Sequence, residues 1–279
     1  MKLCLFDAGA GPRVGLVKGG HVIDAQTSQS IIDLIAGWDE CRPALEAALA
    51  AGGGTPLETV RLLAPIPRPG KIFAIGLNYA DHIAESGVET PKEQVWFTKA
   101  VTAINGPFDP VQIPKVSPFV DYEAELVAVV GQGGRHIARE KAAEHIFGYM
   151  VGNDVTERLW QHRTPQWSLG KSFDTHAPIG PWITTADEVA DPHQLGLRCL
   201  VNGETRQDSN TRHLVFDIFD QVAQLSAAMT LEPGDLIFTG TPGGVGAAMN
   251  PRRFLKAGDV VRCEIDGLGW LENPFAPEA

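Results

Sequence analysis

Phe119-Val120-Asp121-Tyr122-Glu123-Ala124-Glu125-Leu126-Val127-Ala128-Val129-Val130 is the stretch on which the reading of this chain turns. From Leu126 to Val130 every residue is Val or Leu except Ala128, the pattern of a strand buried on both faces. Yet two glutamates lie just before that run, one residue apart. Strand side chains alternate, so Glu123 and Glu125 should share a face, roughly 7 Å apart at Cβ. Two carboxylates side by side away from water repel each other and pay desolvation, so one is protonated or a cation lies between them. The plain alternative is a strand that starts at the surface with both glutamates in water. Taken alone, the stretch favours that alternative.

The rest of the chain sets the frame. Its 279 residues suffice for one large domain or two unequal ones. With 44% hydrophobic and 20% charged residues, the composition is that of a soluble globular protein and excludes wholesale disorder. A net charge of −11 without a basic cluster argues against nucleic acid and against an anionic membrane surface as partners. A small acidic substrate stays open, because a local cation outweighs the global field. Cys4, Cys41, Cys199 and Cys263 are scattered without a C-x-x-C motif. Asp7 interrupts the first apolar run, and no stretch reaches membrane-spanning length. These features point to a reducing cytoplasm.

Residues 1–65 read as a small α+β domain: strands at Leu3–Asp7, Val14–Val17 and His21–Asp24, then helices at Ile31–Ala36 and from Arg42 to Ala51. Ala64-Pro65-Ile66-Pro67-Arg68-Pro69-Gly70 reads as a stiff linker. Residues 71–279 then form a β-rich domain. Ala138–His145 has the composition of a helix, Ala177–Trp182 reads as fixed turns, and Asn202-Gly203 marks a hairpin.

Within the second domain, His82 and Glu85 stand three apart on a short predicted helix, where they can touch. A carboxylate beside an imidazole makes a general base, although an exposed ion pair has the same spacing. Asp154 ends the apolar run Phe147–Val151, as a site residue or as an N-cap. Lys171, between Gly170 and Ser172, is either a surface lysine or a point charge for a carboxylate or enolate. The loop Gly240-Thr241-Pro242-Gly243-Gly244-Val245-Gly246 lacks the Gly-Lys-Ser/Thr of a phosphate loop, which argues against nucleotide binding. Glu123, Glu125 and Asp154, with no His/Cys cluster near them in sequence, make a hard oxygen set suited to Mg²⁺ or Mn²⁺, or to Ca²⁺, rather than zinc.

Five blocks, in order, carry a family resemblance: I-G-L-N-Y-A-D-H-I-A-E-S-G, F-V-D-Y-E-A-E-L-V-A-V-V, G-Y-M-V-G-N-D-V-T-E-R, L-G-K-S-F-D-T-H-A-P-I-G-P and G-D-L-I-F-T-G-T-P-G-G-V-G. From about Lys71 to Phe275 the chain resembles the fumarylacetoacetate hydrolase family. The resemblance implies an α+β, mostly β fold, the mixed β-sheet roll of that family's C-terminal domain, in a homodimer. It implies Glu123, Glu125 and Asp154 as metal ligands. His82 and Glu85 would be the water-activating dyad on a lid, Lys171 the enolate-stabilising lysine, and Arg158, Gln161 and Thr241 substrate contacts. Glu157-Arg158-Leu159-Trp160 and His176 depart from the family pattern near the pocket. The expected activity is Mg²⁺-dependent hydrolysis of a carbon–carbon bond in a 2,4-diketo acid, an acylpyruvate or diketo-deoxy sugar acid. The small 2-oxo acid substrate would leave pyruvate or a similar acid. Oxaloacetate decarboxylation or isomerisation of an unsaturated 2-oxo dioate are the alternatives, and a non-catalytic metal-binding or ligand-binding protein is the third reading.

Overall fold

A computed structural model describes residues 1–279 apart from the side chain of Ser86. Strand outweighs helix, and parallel and antiparallel pairs mix, as the expected mixed-sheet roll requires. A twelve-stranded sheet forms the backbone of the molecule, and a five-stranded sheet packs on one of its faces. The strand Ala124–Val130 runs through the large sheet between Ile146–Asn153 and Leu236–Phe238. Its side chains alternate between two cores. Ala124, Leu126, Ala128 and Val130 face the five-stranded sheet, while Val127 and Val129 face the helices of the N-terminal region. This two-sided burial is why the run is continuously apolar.

The first 65 residues adopt the predicted order of strands and helices, with a capping box between Ser30 and Asp33 opening the first helix. The second helix, Trp38–Ala51, starts ahead of the predicted Arg42. Asp39 and Glu40 in its first turn suit the positive end of the helix dipole, so Pro43 lies inside the helix. Lys2–Asp7 pairs with Ala177–Thr185, which carries the N-terminal strands into the main sheet. The segment read as a linker is packed rather than free: Ile66 is fully buried.

Three further expectations are corrected. The quoted stretch is two strands, Val120–Asp121 and Ala124–Val130, interrupted at Tyr122 and Glu123. Ala138–His145 winds as the tighter 3₁₀ helix Arg139–His145, held by Ile137 N–H on Ser226 Oγ before it and Gly131 N–H on His145 O at its end. The supposed turns at 177–182 belong to a nine-residue strand, Ala177–Thr185. Its pairing with Ile146–Asn153 slips between Tyr149 and Val151, and that irregularity leaves Pro181 outside the ladder it cannot donate to. The Asn202-Gly203 hairpin is as read, both residues at positive φ. Among the described residues, no helix is long and apolar enough to cross a membrane.

Gly148 marks a tight crossing in the large sheet: a Cβ there would lie 2.3 Å from the backbone oxygen of Thr184. Gly148→Ala should therefore destabilise the protein by about 1–3 kcal/mol, the cost of overpacking a core, read as a lower urea midpoint. An unchanged midpoint would contradict this packing.

Candidate metal centre

Register brings the acidic residues together. Ala124 pairs with Asn153, so the next step outward sets Glu123 opposite Asp154. Asp154 N–H donates to Glu123 O at 2.9 Å, and Glu123 N–H donates to Asn153 Oδ1 at 3.0 Å. Glu125, one residue into the strand, accepts from Gly240 N–H at 2.8 Å. One carboxylate oxygen from each of Glu123, Glu125 and Asp154 lies within 4.8 Å of the others, and all three residues are buried. The plain reading of a wet strand end is thereby excluded.

Three cations surround this group. Lys171 Nζ donates to Glu123 Oε2 at 2.6 Å and to Asp154 Oδ2 at 2.5 Å. Gly170 lets Lys171 approach, since a Cβ at 170 would lie 2.3 Å from Gln161 N. Arg158 NH1 lies 2.7 Å from Glu123 Oε1, and its Nε donates to Asp121 Oδ2 at 2.9 Å. Lys99 Nζ, fully buried, donates to Asp154 Oδ1 at 2.5 Å and to Val155 O at 3.3 Å. Glu125 alone of the triad has no ion pair among the described residues.

The charge states follow from these contacts. Burial favours a protonated Glu123, but Lys171 and Arg158 outweigh it and hold the carboxyl down at about 2. Burial, with the charges of Asp154 and Glu123, pushes Glu125 well above the ordinary carboxylate range. Burial works against the ammonium of Lys171, yet Asp154 and Glu123 keep it above its usual value. Lys99 falls below its usual value, because burial and the charge of Lys171 outweigh Asp154. A buried carboxylate with one N–H donor and no counter-ion, flanked by two more carboxylates, is what a hard divalent cation would satisfy. The residues present fit such an ion.

Glu123 and Glu125 line a cavity of about 430 Å³ that also takes in His82, Glu85, Arg158, Gln161, Lys171 and Thr241, so every predicted site residue except buried Asp154 lines it. His82 and Glu85 ride on the helix Ala80–Ser86, with His82 Nδ1 3.7 Å from Glu85 Oε2. Nδ1 is buried without a hydrogen-bond partner. Glu85 accepts from Gly244 N–H at 2.7 Å, and Asp81 accepts from Ser209 Oγ at 2.7 Å, which fastens the helix over the cavity. Burial opposes the charge of Glu85, but the neighbouring His82 and Gly244 keep the carboxyl below its usual range. Thr241 is less free than expected: its hydroxyl donates to Ala124 O at 3.0 Å and accepts from Gln207 Nε2 at 2.8 Å. Gln161 Oε1 accepts from Arg158 NH1 at 3.0 Å.

Two departures from the family pattern find their reason. Glu157 caps the helix Arg158–Gln161 by accepting from Trp160 N–H at 2.7 Å, and it also takes the Ser117 hydroxyl. His176 is fully buried with Nε2 2.8 Å from Gln112 O, and burial presses it down to about 3, a neutral ring. Sequence reasoning passed over Lys99, a lone lysine at the end of Val95–Thr98, and Asp121. Asp121, two residues before Glu123, accepts from Gly246 N–H at 2.8 Å and Ala247 N–H at 2.9 Å, and so ties the glycine-rich loop to Arg158. The signal was present in the run Asp121-Tyr122-Glu123-Ala124-Glu125, three acids in five residues.

Known proteins resemble this chain in sequence and in fold. The C-terminal domain model of fumarylacetoacetate (FAA) hydrolase matches residues 71–276. The chain is 44% identical over 294 residues to the mitochondrial oxaloacetate tautomerase of Xenopus laevis, covering 98% of this chain and 90% of that protein. Maleylpyruvate hydrolase from Sphingobium sp. SYK-6, solved with manganese(II) and pyruvate, superposes with a TM-score of 0.86 at 37% identity over the whole of both chains. Fumarylacetoacetate hydrolase from Exiguobacterium antarcticum does so at 0.85 and 36%, again over both whole chains.

Lys99→Met leaves Asp154 with one cation instead of two. The loss of stability should be on the order of 3 kcal/mol, the low end for breaking a buried pair, because Lys171 still faces the other oxygen. Urea denaturation checks this, and K99M/D154N should recover part of the loss. Wild-type stability in K99M would show the pair to be energetically idle.

Proposed function

Because the chain belongs to the fumarylacetoacetate hydrolase family, we propose that it is a divalent-metal-dependent enzyme interconverting the keto and enol forms of a 2-oxo acid, with oxaloacetate the first candidate. The observation that carries this reading is the convergence of Glu123, Glu125 and Asp154 on one point beside Lys171, at the buried end of a cavity that His82 enters. The 44% identity to an oxaloacetate tautomerase across nearly the whole chain favours tautomerisation over the carbon–carbon hydrolysis expected from sequence.

A Mg²⁺ or Mn²⁺ ion held by the three carboxylates would chelate a 2-oxo acid and draw electron density from its carbonyl. The protein's own groups do the rest. His82, steered by Glu85, removes a proton from C3. The C–H electron pair becomes the C2–C3 double bond, and the carbonyl pair moves onto the C2 oxygen. Lys171 meets the charge that grows on that oxygen in a place with little water to compete. Return of the proton to the oxygen gives the enol, and the reverse sequence restores the ketone. The dry surroundings strengthen each of these charge contacts.

Hydrolysis is the second reading, and the His82–Glu85 pair is what favours it. The same imidazole could take a proton from water, whose oxygen adds to a C4 carbonyl. The C3–C4 pair then leaves with the 2-oxo fragment and is protonated at C3. The likeness to maleylpyruvate hydrolase supports it.

With Mg²⁺ or Mn²⁺ present, the enol absorbance of oxaloacetate should relax to equilibrium faster with the enzyme, and chelation should abolish the effect. Glu123→Ala and Asp154→Ala should each lose turnover while keeping a folded circular-dichroism spectrum. His82→Ala should fall by about 10²–10⁴-fold, the usual contribution of a general base. Full activity in D154A would remove the metal assignment. Pyruvate release from an acylpyruvate with no effect on oxaloacetate would move the function to hydrolysis.

A further inference from the structure

The chemistry above uses the buried end of the cavity, whereas its exposed end carries charge of its own. Two arginines line the cavity. Arg158 is committed to Asp121, Glu123 and Gln161. Arg252 is exposed and meets no carboxylate among the described residues, whereas its neighbour Arg253 pairs with Glu204 at 3.1 Å. On a chain of net charge −11, an unpaired guanidinium facing a cavity is a feature to be accounted for.

The backbone that presents Arg252 is held on both sides. Asp121 takes the N–H groups of Gly246 and Ala247, Arg253 N–H donates to Gly246 O at 3.0 Å, and Leu255 N–H donates to Val120 O at 2.8 Å. Asp121 thus fastens both Arg158 at the buried end and the loop that bears Arg252. Val245, Ala247, Ala248 and Phe254 wall the cavity on this side and offer no competing charge. His162 lines the same rim. Burial, then the charges of Arg158, Arg252 and Lys171, hold its imidazole below the usual value, so the neutral ring can donate a hydrogen bond while Arg252 supplies the charge.

We propose that Arg252, with His162 beside it, binds the distal carboxylate of a 2-oxo dicarboxylate whose 2-oxo acid end sits at Glu123, Glu125 and Asp154. The subsite rests on the functional reading above and narrows it: dioates are preferred to 2-oxo acids with a neutral tail. A guanidinium pre-set on a fastened loop contributes orientation as well as affinity, because a carboxylate can engage it in a fixed fork geometry.

The test compares ligands differing only in that carboxylate: 2-oxopentanedioate against 2-oxopentanoate, titrated calorimetrically into the Mn²⁺-loaded protein. Wild type should bind the dioate roughly tenfold more tightly, as a partly exposed charged hydrogen bond allows. Arg252→Gln should erase most of that preference and Arg252→Lys should keep part of it. Equal affinities in wild type, or a preference that survives in R252Q, would overturn the subsite. Binding is read rather than turnover, so the two readings separate. A protein that prefers the dioate but does not speed the keto–enol interconversion of oxaloacetate loses the tautomerase reading and keeps the subsite.

Discussion

Four carboxylates, Asp121, Glu123, Glu125 and Asp154, face three cations, Lys99, Arg158 and Lys171, in a part of the molecule that water scarcely reaches. Such a cluster is not built for stability. Buried ion pairs seldom repay their desolvation, and well-packed apolar residues of the same volume would serve a core as well or better. With one formal negative charge in excess and Glu125 left without an ion-pair partner among the described residues, the cluster makes sense as the seat of a cation that the chain itself does not provide. The rest of the site is arranged around that constraint.

The fold serves the cluster by register and by fastening. Antiparallel pairing of Ala124–Val130 with Ile146–Asn153 puts Glu123 across from Asp154, and the bonds from Glu123 N–H to Asn153 Oδ1 and from Asp154 N–H to Glu123 O hold them there. Leu236–Phe238, on the other side, delivers Gly240 to Glu125. Asp121 gives up any place among the ligands to hold Arg158 and the glycine-rich loop together. Glu85 and Asp81 tie the helix bearing His82 to that loop and to Ser209. The groups that would move protons are thus anchored to the same backbone as the groups that would hold charge.

Much of this was legible in the sequence, for physical reasons that differ by residue. Glu123, Glu125 and Lys171 stood out because charged side chains in apolar or glycine-flanked surroundings need an explanation. The capping signal at Ser30 and the Asn202-Gly203 hairpin were local chemistry, and local chemistry survives folding. What escaped was set by distant partners. Ala177–Trp182 looked like turns because two prolines and a glycine deny strand formation locally, and only a slipped register in the partner strand admits them. Lys99 looked like any lysine until Asp154, far along the chain, came within 2.5 Å. Arg252 could not be told from Arg253 by sequence, because Glu204 decides which of them is paired.

The central claim is that one divalent cation binds among Glu123, Glu125 and Asp154. Anomalous diffraction from crystals soaked in Mn²⁺ addresses it without reference to any substrate. The account predicts one strong peak within bonding distance of a single oxygen from each of these three side chains, with Lys171 Nζ displaced from between Glu123 and Asp154. A peak elsewhere, or full Mn²⁺ occupancy with the Lys171 contacts unchanged and Glu125 unligated, would contradict it.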